Sequence, residues 1–229
     1  MNVMNIWLKV LLLSLCVPLA QAADAGGITV GGTRLIYDGG KKEASLSVTN
    51  SDTGPYLIQS WIETQNGGAE KAPFIITPPL FRLEAGQKNL LRVIRTGGNL
   101  PEDRESLYWI NIKSVPSGEK RENVNTLQIA VKTRIKLIFR PAGLKSTPLD
   151  VADKLTWSQT GNRLTVNNPT PFYMNFHQIN VGKHQLNDAT FVAPMGSTSF
   201  TVPSGVTGAV TWKIITDYGG VSETYLNKQ

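Results

Sequence analysis

The stretch LQIAVKTRIKLIFRP, Leu127 to Pro141, is where residue type and spacing most call for a chemical explanation. Every second residue, Leu127, Ile129, Val131, Thr133, Ile135, Leu137 and Phe139, forms an almost wholly apolar set. The alternate set, Gln128, Ala130, Lys132, Arg134, Lys136, Ile138 and Arg140, is mostly polar and strongly basic. A period of two describes a half-buried β-strand, and this one is long beside the usual strand of about five or six residues. Its chemistry is that of binding: one face offers apolar surface to bury, the other cations for anionic groups. Taken alone, the apolar row reads as an ordinary core face.

Catalytic chemistry has no comparable signal. The chain contains no G-x-S-x-G, Walker loop, G-x-G-x-x-G, H-E-x-x-H or C-x-x-C. Its two histidines, His177 and His184, cannot furnish a multi-histidine metal site. His177 follows Phe176 in a strand-like run and reads as a packed or surface residue. The reading is therefore a binding protein, not an enzyme, with no cofactor and no metal.

The elements that must position these residues follow once residues 1–22 are set aside. Lys9 precedes an apolar run from Val10 to Ala20, and Ala20-Gln21-Ala22 has the form of a signal-peptide cleavage site. The run is too short to span a bilayer, so the expectation is an exported chain with no membrane insertion after cleavage. The only cysteine, Cys16, lies in the leader, so the mature protein must be held by core burial without disulfides. The formal charge is +6, and loss of Lys9 lowers it by one. For an exported protein this favours a carboxylate-bearing partner or an anionic surface over nucleic acid, and simple solubility accounts for the charge equally well.

The remainder reads as all-β. Strands are expected at Ile28–Ile36, Ala44–Val48, Tyr56–Glu63, Asn89–Arg95, Leu107–Val115 and Asn125–Phe139, separated by Gly- and Pro-containing turns. A linker-like stretch, PAGLKSTPLD, follows Arg140, and shorter strand candidates lie beyond it. The expected organisation is two β-sandwich domains, 23–143 and 144–229.

Several segments resemble the periplasmic pilus (fimbrial) chaperones of the chaperone–usher pathway. LPEDRESLYWINIKSVP from Leu100 matches the family signature closely, and TPPLFRLEAGQ from Thr77, NPTPFYMNF from Asn168 and TDYGG from Thr216 follow in the family's order. The resemblance implies two immunoglobulin-like domains at an angle with a cleft between them. It also implies a function: a pilus subunit lacks its last strand, and the chaperone fills the open groove with a strand of its own.

By this resemblance Leu127, Ile129 and Val131 are the donor residues, while Ile135, Leu137 and Phe139 remain in the chaperone's own core. Arg34 and Lys136 match the pair that holds the subunit's terminal carboxylate and so fixes the register. Glu105, Arg140 and Asp217 match a charged cluster that fixes the interdomain angle. The implied partners are pilus subunits and an outer-membrane usher, the implied compartment is the periplasm, and the unloaded chaperone is expected to be able to self-associate. The connection SGEKRENVN from Ser117 is short, as in chaperones of rod-like pili. An exported carbohydrate-binding module would account for Trp157, Tyr173 and Trp212, but not for the pairing of Arg34 with Lys136.

Overall fold

The structure, a computed structural model, describes residues 26–67, 70–118 and 127–227. The expected leader, 1–22, and residues 119–125 of the expected short loop lie outside the described residues.

The first domain comprises β1 (Ile28–Val30), β2 (Arg34–Asp38), β3 (Glu43–Asn50), β4 (Tyr56–Thr64), β5 (Phe74–Thr77), β6 (Leu80–Leu83), β7 (Lys88–Arg95), β8 (Ser106–Pro116) and β9 (Val131–Arg140). One sheet has the order β1-β3-β7-β5 and the other β2-β9-β8-β4-β6. Alternation explains the pairing of the sheets: Leu46 and Val48, Leu91 and Val93, Ile110 and Ile112, and Leu137 and Phe139 all point inward. Tyr37, Phe74, Tyr108 and Phe139 form an aromatic cluster at one end of that core.

Two expected strands are corrected. Ile28–Ile36 is not one strand but two in opposite sheets: β1 pairs antiparallel with β3, and β2 pairs parallel with β9. The chain changes sheet at Gly31-Gly32, and a Cβ on Gly31 would lie 2.1 Å from Ser47 Oγ, so any side chain there would force the Ser47 hydroxyl to turn away. The strand expected from Asn125 begins only at Val131. Its neighbour β8 ends at Pro116, which has no N–H to continue the ladder, and the last paired residues are Ser114 and Val131.

The stretch after Arg140 is more ordered than a linker. Pro148–Lys154 forms a 3-10 helix, preceded by Thr147, whose N–H and hydroxyl both donate to the Asp150 carboxylate at 2.7 and 2.9 Å. The second domain follows with β10 (Thr156–Thr160), β11 (Arg163–Asn168), β12 (Met174–Val181), β13 (His184–Gln185), β14 (Phe191–Val192), β15 (Gly196–Thr201), β16 (Val210–Ile214) and β17 (Tyr225–Leu226). Its sheets are β10-β11-β15 and β13-β12-β16-β17, with β14 beside one end of β12. Trp157, Phe176, Phe200 and Trp212 fill the space between them.

A third, small cluster joins the domains. Leu107 and Ile138, on the outer face of the first domain, are buried against Tyr173 of the second. The Glu105 N–H donates to the Pro171 carbonyl at 2.9 Å, and the Tyr173 hydroxyl to Gln65 Oε1 at 3.0 Å. The face of β9 that carries Lys136, Ile138 and Arg140 is therefore the face turned toward the second domain.

Candidate functional site

The apolar row on β9 and the residues before it divides into two halves. Ile135, Leu137 and Phe139 are buried in the first core, whereas Leu127, Ile129 and Val131 are 87%, 64% and 55% exposed. All six share one parity, so the exposed half prolongs the core-facing row past the end of its own sandwich. The Gln128 side chain donates to the Pro116 carbonyl and holds this segment beside the end of β8. Covering one such aliphatic side chain fully is worth about 1.5–3 kcal/mol. Three in a row are a liability in water unless something covers them.

The backbone of the same segment is also open. β2 pairs with β9 only over Lys136–Arg140. Among the described residues, nothing pairs with that edge of Val131–Ile135. An extended guest segment can add there, in line with β2, and must stop where β2 begins.

Arg34 is the first residue of β2, and its register partner is Lys136. The two cations thus stand side by side where the open edge ends. Arg34 Nη1 makes only a long hydrogen bond of 3.4 Å to the Ile215 carbonyl, and its buried Nε has no partner. Lys136 Nζ donates to Asn175 Oδ1 and lies 4.3 Å from the centre of the Phe191 ring. No carboxylate bonds either cation among the described residues. Burial, with the adjacent Arg34 charge, lowers the Lys136 ammonium to about 8. Burial also lowers Arg34, against the pull of Asp217. Two half-desolvated cations that no carboxylate bonds among the described residues have the chemistry to accept an anion.

Glu105, Arg140 and Asp217 come together as one cluster. Arg140 Nε donates to Glu105 at 2.8 Å, while Nη1 and Nη2 donate to the two Asp217 oxygens at 2.7 and 2.8 Å. The other Glu105 oxygen accepts the Tyr173 N–H at 2.8 Å. Burial pushes the Glu105 carboxyl up to about 7, opposed by Arg140 and by that N–H. Arg140 is itself raised by its two carboxylates. The bonds run from Glu105, just before β8, and Arg140, at the end of β9, to Asp217 in the loop after β16 and Tyr173 just before β12, so the cluster bridges the domains.

Lys132 and Arg134, members of the basic alternate set, are half-exposed but not idle. Glu63 lies 3.8 and 3.5 Å from them, and they stack over Trp61 and Trp109. His177 is exposed and His184 only partly so. Among the described residues, no group of three or more His, Cys, Asp or Glu could hold a metal, and no helix is long and apolar enough to cross a membrane. Trp157 and Trp212 are buried in the second core and Tyr173 between the domains, so these aromatics offer no platform for a sugar. Asn175 and Ile215, which supply the acceptors for Lys136 and Arg34, were not anticipated. An asparagine inside a strand carries no periodic signal.

Two sandwiches joined by a buried ion cluster, with an open strand edge ending beside two cations that no carboxylate bonds among the described residues, make up the site. Comparison with known proteins identifies the family. Residues 27–145 match the family model described as "Pili and flagellar-assembly chaperone, PapD N-terminal domain", and residues 150–226 match "Pili assembly chaperone PapD, C-terminal domain". The chain belongs to this family of pilus-assembly chaperones.

Among its relatives, the probable fimbrial chaperone LpfB of Escherichia coli O157:H7 is 44% identical over 219 residues, covering 94% of each chain. The chaperone protein FimC of E. coli K12 is 41% identical, covering 93% of this chain and 88% of that one. A solved Salmonella enterica complex of the SafA pilin with the SafB chaperone matches with a TM-score of 0.83 and 42% identity, over 89% of this chain and 96% of that one. The E. coli chaperone DraB matches at 0.80 and 40%, with the same coverage.

Proposed function

We propose that this protein is a periplasmic chaperone that captures pilus subunits by donor-strand complementation and passes them to an outer-membrane usher without ATP. The observation that carries the reading is the abrupt change along β9. Its apolar row leaves its own core at the point where its backbone edge becomes free, and the free edge ends at two unpaired cations.

In this reading, Leu127, Ile129 and Val131 fill the groove of a subunit that lacks a strand. The strand that ends the subunit's own chain, beside the open groove, runs along the edge of Val131–Ile135, parallel to β9, so that its terminal carboxylate arrives at Arg34 and Lys136. Arg34 offers a planar fork of donors and Lys136 a compact charge, and both bonds are charge-assisted. Burial of the apolar row dominates the affinity, because each ladder hydrogen bond nets only about 0.5–1.5 kcal/mol after exchange with water. The carboxylate clamp fixes the register, since a slip of one residue would turn every guest side chain to the wrong face. Glu105, Arg140 and Asp217 hold the interdomain angle and so the width of the cleft. The short Ser117–Asn125 connection supports a client among rod-like pili.

Co-expression with a pilus subunit tests this. The wild type is expected to yield a one-to-one complex, and Arg34→Ala to fold normally but recover no subunit. Wild-type recovery by Arg34→Ala would contradict the assigned role.

A further inference from the structure

We infer that Asn175, on the second domain, is the positioning residue of the carboxylate clamp, and that its side chain must be a neutral acceptor for the clamp to stay open to a guest. The inference rests on the reading of Arg34 and Lys136 given above and adds the group that aims them.

Asn175 is buried on β12 and reaches the cleft in two ways. Its Oδ1 accepts a hydrogen bond from Lys136 Nζ. Its backbone carbonyl accepts the Ile215 N–H at 2.7 Å, and the Ile215 carbonyl in turn accepts from Arg34 Nη1. One residue thereby orients both cations, one directly and the other through a single intervening peptide. Both cations belong to the first domain and both acceptors to the second. The clamp is therefore assembled only when the domains are docked.

The neutrality of Asn175 follows from counting donors. An ammonium has three N–H groups. One is satisfied by Asn175, and the Phe191 ring covers another side of Lys136 without offering an acceptor lone pair. What remains faces the cleft and is available to a guest. An aspartate in place of Asn175 would occupy nearly the same volume but bring its own negative charge. It would pair with Lys136 permanently and repel the incoming carboxylate. An apolar residue would leave the half-buried ammonium with no acceptor and favour its neutral form.

The other charges near Lys136 do not take over this task. Arg34 on β2 is a like charge. On its own strand, Arg134 stacks on Trp109, and Arg140 is committed to Glu105 and Asp217. Asp217, in the loop after β16, is held by Arg140 through both oxygens. His177, further along β12, is exposed.

The test uses the full-length mature chaperone and a short peptide of alternating valine and threonine, prepared with a free C-terminal carboxylate and as its C-terminal amide. Binding is followed by calorimetry across pH for the wild type, Asn175→Asp and Asn175→Leu. The wild type is expected to prefer the acid over the amide and to lose that preference as pH rises through the Lys136 titration. Asn175→Asp should bind the acid at least about tenfold more weakly and move the midpoint to higher pH. Asn175→Leu should move it to lower pH. Nuclear magnetic resonance of the Lys136 side chain in each free protein gives the same two opposite shifts without any guest. Unchanged midpoints in both variants, with wild-type preference for the acid, would overturn the role of Asn175 and leave the clamp standing. A wild type indifferent to acid and amide would overturn the clamp itself.

Discussion

Arg34 with Lys136 and Arg140 with its two carboxylates occupy the same domain boundary and end in opposite electrostatic states. Around Arg140, three short hydrogen bonds from one guanidinium saturate Glu105 and Asp217, and the assembly is internally neutralised to within one charge. Around Lys136 and Arg34, the second domain supplies only an amide oxygen and a backbone carbonyl. The first cluster is complete in the isolated chain. The second is short of a negative charge, and burial makes that shortage felt. A closed cluster holds a shape; an open one has room for an anion, as the proposed capture of a carboxylate requires. The same contrast recurs along β9, where Phe139 is finished by its own core and Leu127 is left in water.

This contrast can be broken from either side. Substituting Arg140 by Met removes the one cation bonded to the buried Glu105 among the described residues, and loss of one partner of a buried pair typically costs about 3–5 kcal/mol. Denaturant titration should show that loss, and it should grow as pH rises above about 7, because a protonated Glu105 tolerates burial better than a carboxylate. A variant as stable as the wild type at pH 8 would show that the cluster is not a structural tie.

Next in size is the exposed half of the apolar row. Replacing Leu127, Ile129 or Val131 singly by Ser should weaken subunit capture by about 1.5–3 kcal/mol each and leave the melting temperature unchanged. Replacing Leu137 by Ala should instead cost about 2–5 kcal/mol of stability, because it opens a cavity in the core. Capture measured by competition and stability measured by melting would separate the two halves. Equal effects of Ile129→Ser and Leu137→Ala on melting would erase the distinction.

The smallest effect belongs to Lys136 in the free protein. Its folded-state titration, near 8, lies below the ordinary lysine value of 10.5. The unfolded chain therefore holds more protons between those values, and stability rises with pH across that window. Lys136→Met should remove this rise and raise stability modestly at neutral pH while abolishing capture. A slope that survives in Lys136→Met would assign it to another group.

Much of the fold could be read from residue patterns, because burial of one sheet face imposes a period of two. The runs at Ala44–Val48, Tyr56–Glu63 and Leu107–Val115 needed only small adjustments at their ends. The failures have local causes. Phe74–Thr77 and Leu80–Leu83 are short strands separated by Pro78 and Pro79, and prolines masked them. Gly31 and Gly32 concealed a change of sheet because the residues on both sides are apolar and alternating. Thr147-Pro148 opened a helix inside what composition presented as a linker.

The site was legible unevenly. Alternation alone could not separate Leu127 from Leu137, since both lie on one row; only the end of the surrounding sandwich distinguishes them. The nearness of Arg34 to Lys136, far apart in the chain, came from resemblance and not from pattern. Asn175 was invisible, because its importance lies in which neighbour it faces across the domain boundary.

The most direct test is to follow the Lys136 ammonium by nuclear magnetic resonance while the chaperone is loaded with a pilus subunit. Its titration is predicted to climb from about 8 toward or above the ordinary lysine value as a carboxylate arrives. A value still near 8 in the loaded complex would mean that no negative charge has reached the cleft, and the account would fail.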